Sequence, residues 1–262
     1  MAIWQTNIPT REKLKIDGEF IKGKLSIAQK YALANKAKLL VAPEGTLPNN
    51  FYLAKSSKVN ILSGGFRNFK NELRSSLLGF QIGEKSFSSF IDKNRLVPLG
   101  EKIPRFLDNF SRGLSAVGGI QPGSDSRFFD SKFTPPMAVA ICYEISDGFR
   151  IRKAINNGAK LIITSANLDP YPTKLYNQFL SLARLRSIEN NKDNLIVSNT
   201  GPSGLVSDDG KIIQLLDLKT EQNEMVFPNF SSDKTFYTKH GDKPILLLFI
   251  FFTGLNFFWK IN

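Results

Sequence analysis

Residues 137–144 read Met-Ala-Val-Ala-Ile-Cys-Tyr-Glu, followed by Ile145 and Ser146-Asp147-Gly148. A short apolar run of this kind reads as a buried strand, and the polar stretch after it as a turn into a helix. Cys142, the only cysteine in the chain, therefore stands where a strand hands over to a helix. Its thiol is expected at the open end of a sheet, where backbone N–H groups of the following helix favour a thiolate. The competing reading is a buried structural cysteine, because free cysteine is among the most buried residue types.

On either side of this junction, strands and helices alternate. Ala2–Thr6, Lys38–Ala42, Val59–Gly64, Lys160–Thr164 and Leu195–Asn199 have the composition of strands. Phe20–Asn35, Gly148–Asn157 and Lys174–Asn190 have the spacing of helices. Ser75–Ile82 and Phe87–Ile91 form a hairpin pattern about Gly83-Glu84, and Gly204–Ser207 with Lys211–Leu216 form another about Asp208-Asp209-Gly210. A loop-rich stretch from Pro98 to Pro136 holds one short helix near Arg105–Arg112. Interleaved strands and helices with added hairpins imply a layered α/β domain.

The chain has 262 residues, 42% of them apolar and 22% charged, enough for a substantial core. One cysteine excludes an internal disulfide and Cys-based zinc sites, and a single histidine, His240, argues against a His-rich metal centre. No cofactor is expected. The net charge of +12 suits an anionic partner, but the basic residues are scattered and form no nucleic-acid motif. Nucleic acid is thus not an expected partner; a solvated basic surface and a phospholipid-facing one both fit. The N-terminus has neither the charged nor the long apolar region of a signal peptide. From Ile245 to Trp259 run fifteen uncharged residues between Lys243 and Lys260, ending in an aromatic cluster. The run is apolar on every face and slightly short for a span of about 17–25 residues; it reads as a membrane helix in preference to a core helix.

Two further strand ends carry reactive groups. Glu44 follows Leu39-Leu40-Val41-Ala42-Pro43, where a partly desolvated carboxylate suits a general base. Lys93, in Asp92-Lys93-Asn94, could stabilise an oxyanion, although a lysine taken alone reads as a solvated surface residue. Histidine is the usual activator of a cysteine nucleophile, and the setting of His240 beside the apolar tail fits a surface role better. A nucleophilic Cys142 would then depend on a carboxylate base and a lysine charge.

Val41-Ala42-Pro43-Glu44, Asp92-Lys93-Asn94 and Ile141-Cys142-Tyr143-Glu144, in that order, resemble the nitrilase superfamily of carbon–nitrogen hydrolases. Leu96-Val97-Pro98-Leu99-Gly100-Glu101 with Pro104 resembles its apolipoprotein N-acyltransferase branch, as do Gln5-Thr6-Asn7-Ile8-Pro9, Ala183-Arg184-Leu185-Arg186 with Glu189, Asn199-Thr200-Gly201 and Phe236–Asp242. The resemblance covers nearly the whole chain. It implies an αββα sandwich at residues 1–235, followed by the apolar helix at 236–262. It further implies a catalytic triad of Glu44 (base), Lys93 (oxyanion) and Cys142 (nucleophile), with Glu101 orienting Lys93 and with Tyr143 and Glu144 flanking the cysteine.

The implied reaction moves a fatty acyl chain from a phospholipid, through a Cys142 thioester, to the α-amino group of the diacylglyceryl-cysteine of a bacterial lipoprotein. The implied partners are the phospholipid donor, the lipoprotein acceptor and the inner membrane, with the catalytic domain on the periplasmic side. Two segments depart from the family pattern: Ser165–Pro172, where Asn-Asp-x-Trp-Phe is usual, and Leu14, where a tryptophan is frequent. The family's leading transmembrane helices are not in this sequence. The expectation is therefore a truncated form, a split product or an anomalous start, associated with a separate membrane half. The alternatives are a nitrilase-like amidase using the same three residues on a small amide, and a non-enzymatic remnant.

Overall fold

A computed structural model describes residues 1–10, 18–98, 100–101 and 119–259, with 254–259 as backbone only. The helix expected at Arg105–Arg112, as well as Leu14, Leu99 and Pro104, lie outside these residues.

The strands are β1 (Ala2–Gln5), β2 (Leu39–Leu47), β3 (Asn60–Phe69), β4 (Glu72–Phe80), β5 (Ser89–Asp92), β6 (Phe128–Ser131), β7 (Thr134–Ile141), β8 (Ile162–Ala166), β9 (Asn194–Ser198), β10 (Gly204–Val206), β11 (Ile212–Leu215) and β12 (Gln222–Met225). The helices are α1 (Gly18–Ala34), α2 (Gly148–Asn156), α3 (Thr173–Asn190), α4 (Phe236–His240) and α5 (Lys243–Trp259), and a 3-10 turn spans Cys142–Ser146. The strands build two six-stranded sheets, ordered β12-β1-β2-β3-β4-β5 and β11-β10-β9-β8-β7-β6. Each has three parallel strands at its centre, β1-β2-β3 and β7-β8-β9, flanked by antiparallel ones.

Strand alternation explains the layering, because neighbouring residues point to opposite faces. Leu39 and Val41 of β2 meet Val139 and Ile141 of β7 in one core between the sheets. Leu40 and Ala42 face the other way, against Ile21, Leu25 and Ala28 of α1. On β7, Ala138 and Ala140 face Ile151, Ala154 and Ile155 of α2, and these small side chains let the helix approach closely. Both faces of each central strand are thus buried, as continuous apolar runs require. The result is a helix–sheet–sheet–helix sandwich.

Several boundaries differ from the sequence reading for physical reasons. β2 does not stop at Pro43. Its pairing with β3 passes from Ala42↔Ser63 to Leu47↔Gly65, so residues 43–46 bulge out of the ladder and Pro43 needs no partner for an N–H it lacks. Gly64 and Gly65 do not end β3. A Cβ at Gly64 would lie 2.3 Å from Glu44 Cα, so the glycine lets the bulge lie flat across its neighbour. The polar residues of β6 and β12, which lack an apolar pattern, escaped the sequence reading. β12 pairs antiparallel with β1 across the sheet edge.

The C-terminal apolar run forms α5 as expected. Every apolar side chain from Ile245 to Phe252 is more than half exposed, so the helix belongs to no core of the described residues. Its 17 residues span about 25 Å. No helix among the described residues is long and apolar enough to cross a membrane.

Candidate active site

The carboxyl ends of parallel strands are where open sheets collect reactive groups, and here four elements deliver side chains to one place. Glu44 comes from the β2 bulge, Lys93 directly follows β5, Cys142 directly follows β7, and Asn167 directly follows β8.

Lys93 is fully buried. Its Nζ donates to Glu44 Oε1 at 2.8 Å and to Glu101 Oε1 at 2.6 Å. The sequence reading of a solvated lysine is therefore wrong for this residue taken alone. Burial pulls its ammonium downward, but the Glu44 and Glu101 carboxylates act against that and hold it above the usual lysine range. The remaining carboxylate oxygens are also fixed. Glu101 Oε2 accepts the Val97 N–H at 2.8 Å, and Glu44 Oε2 accepts the Asn167 N–H at 3.0 Å. Burial pushes the Glu101 carboxyl up, against the pull of Lys93. The backbone beside Lys93 is pinned as well: Arg67 grips Asp92 bidentately at 2.7 and 2.6 Å, and Ser76 Oγ adds 2.7 Å.

Cys142 is buried and adopts φ +52°. That left-handed backbone costs a non-glycine residue about 1–3 kcal/mol and persists only where its surroundings over-determine it. Contrary to expectation, the site does not hold a thiolate. Burial raises the thiol far above its ordinary range, Glu44 raises it further, and the opposing pull of Lys93 and of the Tyr143 N–H is smaller. The polar residues after β7 form a single 3-10 turn, not the first turn of α2, so α2's N-terminal N–H groups begin one turn later. The thiol is neutral until a base takes its proton.

The surroundings that hold the elbow centre on Glu144. Its Oε2 accepts the Ile141 N–H at 2.9 Å, and its Oε1 accepts the N–H groups of Asn94 and Arg95 at 2.7 and 3.1 Å. Arg127 Nη1 donates to both oxygens, at 2.7 and 2.8 Å, and Arg127 Nη2 donates to the carbonyls of Asp92 and Ser124. Glu144 is thus buried behind the site, tying the cysteine elbow to the lysine loop. Tyr143 is partly exposed, with the Arg95 guanidinium 4.9 Å from its ring centre.

Glu44, Glu101 and Cys142 all line one cavity of about 270 Å³, together with Thr10, Phe66 and Asn167. The sequence reading missed Arg127 and Asn167. Arg127 sits in a polar loop with no pattern to mark it. Asn167 had a signal, since it follows strand β8 as Cys142 follows β7. Asn199 joins this frame, donating from Nδ2 to Asn167 Oδ1 at 3.0 Å. Phe51 and Phe129 are core, and Phe69 at the end of β3 is exposed. His240 is exposed and stacks on Phe236. Among the described residues, no group of three or more His, Cys, Asp or Glu side chains is placed to hold a metal ion.

No family model matches the chain. Its sequence is 68% identical over 259 residues to an apolipoprotein N-acyltransferase of Prochlorococcus marinus subsp. pastoris, covering 99% of this chain and 52% of that protein. The chain is similar to apolipoprotein N-acyltransferases along nearly its whole length. An apolipoprotein N-acyltransferase of another Prochlorococcus marinus strain is 46% identical, over 94% of this chain and 50% of its own length. The chain thus spans about half the length of the curated relatives it matches. Among solved structures, an amidase of the nitrilase superfamily from Nesterenkonia AN1 superposes with a TM-score of 0.61 at 14% identity, over 85% of this chain and 87% of its own. The nitrilase-type fold, expected from the order of motifs, is therefore the fold of this chain.

Proposed function

We propose that this chain carries the chemistry of an N-acyltransferase that moves a fatty acyl chain from a phospholipid to the N-terminal amine of diacylglyceryl-cysteine in bacterial lipoproteins. The observation that carries the reading is the buried Lys93 ammonium, held between Glu44 and Glu101, two carboxylates that line the same cavity as Cys142. The curated relatives bear the acyltransferase name.

In this reading the neutral Cys142 thiol gives its proton to Glu44 as the sulfur attacks the donor ester carbonyl. Lys93 stabilises the oxyanion that develops. Collapse breaks the ester C–O bond, and the proton on Glu44 passes to the leaving alkoxide. The resulting thioester is then attacked by the acceptor amine, whose proton passes to Glu44. The C–S bond breaks, and the sulfur recovers its proton. Two easier steps replace one difficult ester-to-amide exchange. Glu101 positions Lys93, while Glu144 and Tyr143 position the elbow.

The exposed apolar α5 then serves as the membrane element, placing the sandwich at the periplasmic face of the inner membrane beside a membrane-embedded portion that completes the enzyme. A second reading, favoured by the amidase fold likeness, is hydrolysis of a small C–N bond by the same three residues.

Incubating detergent-solubilised protein with phosphatidylethanolamine and mapping the Cys142 peptide by mass spectrometry tests both. A fatty-acyl mass on Cys142, released by neutral hydroxylamine and absent in Cys142→Ala, supports acyl transfer. Amide turnover with no acyl adduct supports the hydrolase instead.

A further inference from the structure

Cys142 lines two cavities. The first is the one described above, where the Glu44 and Glu101 carboxylates share the lining with apolar residues such as Phe66, Val97 and Ile120. The second, of about 390 Å³, lies between the 3-10 turn and α3, within the size range of ligand sites. Its walls include Ile145, Leu168, Tyr171, Leu175, Phe179 and Leu182, and the lining is almost wholly apolar. Leu175, Phe179 and Leu182 recur at helical spacing, so they present one face of α3 along about 10 Å of its length. Val97 and Tyr171 line both cavities with Cys142, which places the sulfur at their junction.

We propose that the second cavity holds the hydrocarbon tail of the acyl group on Cys142, and that the cavity lined by Glu44 and Glu101 admits the incoming amine. The proposal rests on the acyl-transfer reading and adds a division of labour to it. A hydrocarbon tail gains from leaving water only where the receiving walls are apolar. In the first cavity it would strip solvent from the Glu44 and Glu101 carboxylates without replacing their polar contacts. The amine has the opposite need. As its nitrogen bonds to the thioester carbon and the C–S bond breaks, it must lose a proton to a carboxylate, and both carboxylates line the first cavity. With the tail on the α3 side, donor and acceptor do not compete for space. A small amide would leave the second cavity without a purpose.

The test follows the acyl adduct on Cys142 of the 262-residue chain in detergent, by mass spectrometry, with p-nitrophenyl butyrate and p-nitrophenyl decanoate. Leu182→Trp fills part of the apolar cavity and should lower the decanoyl-to-butyryl rate ratio about tenfold, while Leu182→Ala should raise it. Leu175→Trp, on the same face of α3, should lower the ratio as well. Adducts in the parent chain whose ratio is unmoved by all three variants would overturn the tail assignment alone. No adduct from either ester in the parent chain would overturn the acyl-transfer reading and this proposal with it.

Discussion

Two buried ion clusters lie within one loop of each other, and their fates differ. Glu144 and Arg127 form a closed pair: both Glu144 oxygens accept from Arg127, and three backbone N–H groups complete the carboxylate's capacity. Glu44, Lys93 and Glu101 set two carboxylates on one ammonium, and both carboxylates line a cavity that also holds the thiol. The first arrangement is charge-balanced and commits its carboxylate to Arg127 and three backbone N–H groups, so it fixes backbone. The second keeps charge at a surface that a ligand can reach. The same residue types become a brace or a reactive centre according to what remains to be satisfied.

The comparison is broken most directly at Glu44. Glu44→Gln should slow Cys142 acylation by p-nitrophenyl butyrate by about 10²–10⁴-fold, the usual worth of a general base, with little change in the urea midpoint. A loss below tenfold would remove Glu44 from the base role.

Glu144→Ala should act on the other axis, costing about 3–5 kcal/mol in urea unfolding because Arg127 is left as an uncompensated buried charge. Replacing both partners, with Arg127→Met and Glu144→Leu, should recover much of that loss. A stable but inactive Glu144→Ala protein would place Glu144 in the chemistry, and the contrast drawn above would fail.

The thiol sharpens the contrast through pH. A raised pKa means a neutral thiol at pH 7, so the rate of Cys142 alkylation by iodoacetamide should climb about tenfold per pH unit, past the ordinary thiol range. Glu44 contributes to that elevation, so Glu44→Gln should move the thiol down and speed alkylation at pH 8, even as it slows acyl transfer. Alkylation that levels off near pH 8 in the parent chain would contradict a neutral, buried thiol. The smallest effect is expected at Arg95→Ala, which removes a partly exposed cation–ring contact with Tyr143 and should cost about 0.5–1 kcal/mol in the same unfolding assay.

Much of the fold was legible because central strands are buried on both faces and so appear as uninterrupted apolar runs. Leu39–Ala42, Met137–Ile141 and Leu195–Val197 could be placed without a structure. Edge strands carry no such signal. The four residues of β12, Gln-Asn-Glu-Met, are held by backbone pairing with β1, and a ladder of N–H and C=O groups leaves no trace in side-chain type. The Pro43 bulge was misread for a related reason: proline and glycine mark a break in pairing, but whether a strand ends there or resumes depends on the neighbouring strand.

Cys142 and Glu44 drew attention from their positions at the ends of apolar runs, and the order of the motifs pointed to their joint chemistry. Lys93 is different. Read locally it is a solvated charge at a strand end, and its burial follows only from two carboxylates, eight and forty-nine positions away in the chain, converging on it. The sequence by itself thus determined a layered α/β domain and the reactive residue types, because hydrophobic periodicity and strand ends are local properties; the sandwich was implied only by the family resemblance. The tertiary structure alone decided the neutral state of the thiol, the bracing role of Glu144 and Arg127, and the meeting of two cavities at Cys142. Burial, Coulomb interaction and enclosed volume all depend on distances between residues far apart in the chain.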